Sequence, residues 1–83
     1  MPLNSKVLVH WHDARLCPNI YSVGEAHGLN MSQFKTIGYL ISRDSTTTKL
    51  ASERDDEGQY RDVILIPTGS VISMRRLFLG SFM

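Results

Sequence analysis

The chain has a single cysteine, Cys17, among 83 residues, so no internal disulfide can staple it, and that pattern fits a reducing compartment. It has no run near the ~20 consecutive apolar residues of a membrane-spanning helix, and residues 1–6 lack the apolar stretch of a signal peptide. It also has no excess of one charge: nine Lys and Arg stand against eight Asp and Glu, a net charge of +1. That balance excludes the broad positive field of an avid phosphate-backbone binder and leaves room only for a local nucleic-acid site. No catalytic motif stands out, and no cofactor is expected. Together these absences read as a cytoplasmic protein with no membrane partner. A chain this short forms one domain, 1–83, whose core is marginal by itself, so self-association is the expectation.

What is present is strand pattern. Residues 6–14 alternate Val7, Val9 and Trp11 against Leu8, His10 and His12, the two-residue period of a strand with its Val and Trp parity toward the core. Regular pattern stops over 15–33, where Pro18, Gly24 and Gly28 interrupt it. Within that excursion Ser22 and Glu25 have capping-box spacing, which predicts one or two helical turns over 23–29. A second strand covers 34–43, with Gly38 inside it as the mark of a bulge or bend. After an Asp44-Ser45 turn, 46–53 returns as a third strand and closes a hairpin. Residues 53–62 are charged with both signs and read as an exposed loop. The dense apolar run 63–66 reads as a short, fully buried strand, Pro67-Thr68-Gly69 as a turn, and 70–77 as a fifth strand. The tail 78–83 is apolar. The fold class expected is mostly β: a small five-stranded SH3-like or Sm-like barrel with a long loop or short helix inserted after strand 1.

Two blocks carry a resemblance: Thr36-Ile37-Gly38-Tyr39-Leu40, and the stretch Val63-Ile64-Leu65-Ile66-Pro67-Thr68-Gly69-Ser70-Val71-Ile72-Ser73-Met74. They resemble the Sm-like small-barrel proteins, especially divergent ones from phages and mobile gene cassettes, over about residues 6–77. Gly69 matches the glycine of the family's second motif. Thr68 stands where the family places an arginine, and the family's Asp-Met-Asn type nucleotide pocket is not reproduced after Asp44. The resemblance implies a cyclic homo-oligomer in which the final strand, with Val71 and Ser73, pairs with a neighbouring subunit, and it implies RNA or a protein as ligand.

Candidate residues follow from chemistry. Arg75 and Arg76, with Lys49, Arg54, Arg61 and the aromatic Tyr60 or Tyr39, are the types that hold a phosphate and a stacked base, although adjacent arginines on a strand point to opposite faces. Phe78, Leu79 and Phe82 form an apolar tail of the kind that marks a subunit contact. His10 and His12 share one strand face about 6 to 7 Å apart, a spacing that suits a shared metal. Zinc needs a further ligand, for which Asp13, Cys17 and His27 are the acceptable types, and the plainer reading is an exposed sheet face. Cys17 becomes a nucleophile only with an imidazole beside it. The first reading is therefore a non-enzymatic binding or assembly module. The alternatives are a metal-binding protein or small metal-dependent hydrolase using His10 and His12, and a monomeric SH3-like adaptor.

Overall fold

The structure is a computed structural model that describes residues 3–78. Five strands, β1 (Lys6–Asp13), β2 (Ser32–Arg43), β3 (Thr47–Arg54), β4 (Tyr60–Pro67) and β5 (Val71–Arg76), form one antiparallel sheet in the order β4-β3-β2-β1-β5. The sheet is not closed: β4 and β5 are its two edges.

Alternation on β1 sets the core. Val7, Val9 and Trp11 are buried, and register carries the same face to Gly38 and Thr36 on β2 and to Met74 on β5. Leu40 and Leu50, paired across β2 and β3, and Ile66 on β4 complete a cluster of six large side chains, with Ile64, Val71 and Met74 packed against it. The indole N–H of Trp11 donates to Thr36 Oγ1 at 2.9 Å, so its polar atom is satisfied beside the core. Its ring stacks on Phe34 at 5.1 Å.

Gly38 does not mark the bulge. The register shift in β2 lies between Leu40 and Ser42, where Ile41 is the extra residue. Gly38 permits close approach instead: a Cβ there would stand 2.8 Å from the Ala51 carbonyl oxygen and 3.2 Å from Leu50 Cβ. The β2–β3 turn is held by Asp44, whose Oδ1 accepts from the backbone N–H of Thr46 and Thr47 at 2.8 and 2.7 Å. A single 3-10 turn, Thr68–Ser70, leads into β5 and is tied to that same turn. Thr68 Oγ1 donates to the Asp44 carbonyl at 2.8 Å and meets the buried Thr48 Oγ1 at 3.0 Å.

β4 differs from expectation at both its ends and its burial. It begins at Tyr60, so Arg61 and Asp62 belong to a strand rather than a loop. Val63 and Leu65 are 46% and 59% exposed, so the run is not fully buried. The physical reason is its place: an edge strand has one face on the core and tolerates charge on the other, and the left-handed φ of Asp62 (56°) interrupts that edge.

The excursion, residues 14–31, leaves the end of β1 and returns at the start of β2. It contains α1 (Val23–His27), one short helix with the capping box in place: Ser22 Oγ accepts from the Glu25 N–H, and the Glu25 carboxylate accepts from the Ser22 N–H, both at 3.1 Å. Those bonds hold the Glu25 carboxyl below its ordinary pKa. None of the residues of α1 is buried.

Candidate functional site

Register sorts the solvent face of the sheet by charge. Running the β1 parity of Leu8 outward places Lys6, His10 and His12 on it, opposite Tyr39, Lys35 and Gln33 of β2. Leu8 faces Ile37 on one side and Arg75 on the other. On β3 and β4 the same face carries Lys49 beside Leu65, Ala51 beside Val63, and Glu53 beside Arg61. Five Lys and Arg side chains (Lys6, Lys35, Lys49, Arg61 and Arg75) thus stand on this face against one carboxylate, Glu53, which is paired with Arg61 at 3.5 Å. The chain's near-neutral total hides this because half of its eight acids, Asp44, Asp55, Asp56 and Glu57, sit in the turns between strands.

The face also divides laterally. Its β4–β3 side is mixed, with exposed Val63 and Leu65 beside Lys49 and the Glu53–Arg61 pair. Its β2–β1–β5 side is cationic, with Tyr39, Ile37 and Leu8 set among Lys6, Lys35 and Arg75. An extended surface of cations around an aromatic ring and aliphatic groups suits an elongated anionic ligand better than a small molecule.

The residues expected to bind RNA are not brought together within one copy. Arg75 and Lys49 share the solvent face, but β1 and β2 lie between their strands, a separation of about 14 Å. Arg76 pairs with Val7, so it belongs to the other face, where its guanidinium lies 5.0 Å from the Phe78 ring centroid. Tyr60 starts β4 with its hydroxyl on the Asn4 side-chain oxygen. Sequence reading missed Lys6 and Lys35, and offered Tyr39 only as an alternative to Tyr60. The signal was available in the parity of His10 and His12, but carrying it to β2 requires the strand register.

His10 and His12 do share a face, opposite Lys35 and Gln33, and His10 Nε2 is 2.9 Å from Gln33 Oε1. Asp13 belongs to the opposite parity, and Cys17 and His27 lie in the excursion. Among the described residues no three His, Cys, Asp or Glu side chains converge as a metal-ligating group. Cys17 is free and half-buried. On the core face a hollow of about 360 Å³ is lined by Leu3, Leu40, Arg43 and Met74, with Arg43 as its one ionisable group.

Of the residues expected at a subunit interface, Val71 packs against the core cluster opposite Trp11, and Ser73 pairs with His10 on the solvent face of β5. Phe78 is exposed, and Leu79 and Phe82 lie outside the described residues. A Cβ at Gly69 would meet nothing within 4 Å, so space does not require glycine in that turn. Among the described residues no helix is long and apolar enough to cross a membrane. Compared with protein-family models, curated proteins and solved structures, the chain gives no match.

Proposed function

We propose that this chain is a non-enzymatic assembly module of the Sm-like small-barrel kind, whose copies join edge to edge into a cyclic homo-oligomer. The observation that carries this reading is the open sheet: among the described residues, β4 at one edge and β5 at the other each present a row of backbone donors and acceptors to which no further strand is paired. Two different edges on one chain make a head-to-tail contact, which closes into a ring when the rotation per copy divides a full turn. The six-residue core supports the same conclusion, because so small a cluster leaves stability to be gained by burying more surface between copies. The test is sedimentation of Ile72→Lys, which places a charge at a half-exposed bulge position on the β5 edge. The expected result is dissociation of the wild-type assembly to monomer with the circular dichroism of the sheet retained. An unchanged assembly would remove β5 from the contact.

A second reading concerns the ligand, and the sorted solvent face favours it. Single-stranded RNA supplies phosphates for Lys6, Lys35 and Arg75 and flat bases for Tyr39, and successive copies around a ring extend the track. Binding of a short single-stranded RNA should weaken steeply with added salt. Lys35→Ala should shallow the slope of log K against log salt by about 0.7, the value for one single-strand phosphate contact. Absence of binding at low salt would dismiss RNA without touching the assembly.

A further inference from the structure

The solvent face of β1 carries a chemistry that neither the assembly nor the RNA reading uses. His10 and His12 stand two residues apart on that face, both half-buried, and the exposed Gln33 lies directly opposite His12 on β2. His10 is itself opposite Lys35, yet its Nε2 reaches Gln33 Oε1 at 2.9 Å, so the ring leans along β1 toward His12. Three donors thus close a triangle. His10 and His12 are about 6 to 7 Å apart at Cα, His12 and Gln33 about 5 Å apart at Cβ, and the third side is the observed contact of His10 with Gln33.

We infer that His10, His12 and Gln33 form an exchangeable site for one divalent transition-metal ion of the nickel or copper kind, held by two imidazole nitrogens and one amide oxygen, with water completing its shell. Nitrogen and oxygen donors of this type suit those ions, which favour right angles between ligands. The separation of His10 Nε2 and Gln33 Oε1 already matches adjacent donors around such an ion. Bonds of about 2.1 Å meeting at a right angle put the two donors about 3.0 Å apart, whereas the tetrahedral angle that zinc takes needs about 3.4 Å. Gln33 Oε1 can only accept, so His10 carries its proton on Nε2 in that bond. The ring takes an ion at Nε2 when that proton moves through solvent to Nδ1, and the imidazole stays neutral throughout.

The surroundings set the strength. All three donors are neutral, Asp13 is on the opposite parity, and Lys35 and Ser73 are the residues that flank His10 on the neighbouring strands. With no carboxylate in the set and the Lys35 ammonium facing it, the site holds its ion weakly and is emptied by dialysis. The inference rests on neither the assembly nor the RNA reading, so its failure leaves both as they stand.

The experiment is calorimetric titration of Ni²⁺ into the untagged, chelator-treated full chain and into His10→Ala, His12→Ala, Gln33→Leu and His27→Ala. His27 lies in the excursion and serves as the control. One ion per chain is expected, with the dissociation constant raised about tenfold or more in each of the first three variants and unchanged in His27→Ala. Circular dichroism checks that each variant keeps the sheet. The wild-type chain gives an independent reading by proton magnetic resonance: trace Cu²⁺ should broaden the ring signals of His10 and His12 before those of His27. Absence of binding at millimolar Ni²⁺, wild-type affinity in any of the first three variants, loss of binding with His27, or broadening that favours His27 overturns the site.

Discussion

Gly38 shows how much one side chain's absence can decide. A methyl at that position meets backbone on the facing strand, the Ala51 oxygen at 2.8 Å, and backbone cannot swing aside as a flexible side chain can. Gly38→Ala should therefore part β2 from β3 and cost about 1–3 kcal/mol in urea denaturation; an unchanged midpoint would mean that the strands do not approach this closely. That a glycine sits inside a strand was legible from sequence, but its purpose was not. A bulge and a close approach share the same residue, and only the facing strand tells them apart. Trp11 was more legible, because its parity with Val7 and Val9 sufficed to turn it inward. Its partners Thr36 and Phe34 depend on register that no local pattern encodes.

At the scale of elements, local signals performed well where the structure is local. The capping box of Ser22 and Glu25 and the Asp44 turn are short-range chemistry, and both are present. The Asp44 carboxylate accepts from the Thr47 and Thr46 amides, and these bonds hold its pKa below the ordinary value of 3.8. A carboxyl depressed by folding adds stability at pH above its ordinary value and loses that contribution as pH falls through the lowered one. Asp44→Ala should thus lower the melting temperature at pH 7, and the gap between variant and wild type should narrow from about pH 4 downward. A gap independent of pH would show that the loss is not that of the charged acceptor. Strand β4 was misread because its two cues conflict: Arg61 and Asp62 look like loop, and 63–66 look like buried core. An edge strand accommodates both: Ile64 and Ile66 meet Leu50 and Thr48 on the core side, while Arg61, Val63 and Leu65 lie on the solvent side. Edge position is a property of the sheet order, which sequence does not state.

For the whole molecule, the mostly β class and the five strands were readable, whereas the open order β4-β3-β2-β1-β5 and the charge-sorted solvent face were not. Both arise from long-range pairing: a composition that sums to +1 says nothing of which face each charge occupies until register is known. The same pairing leaves a small core and, among the described residues, two sheet edges without a partner strand. Each of these is costly for a solitary copy and useful to an assembled one. Native mass spectrometry of the purified full chain tests this most directly. The account predicts one dominant closed species of several copies, holding no metal and persisting on dilution. A monomer across the accessible concentration range would contradict it.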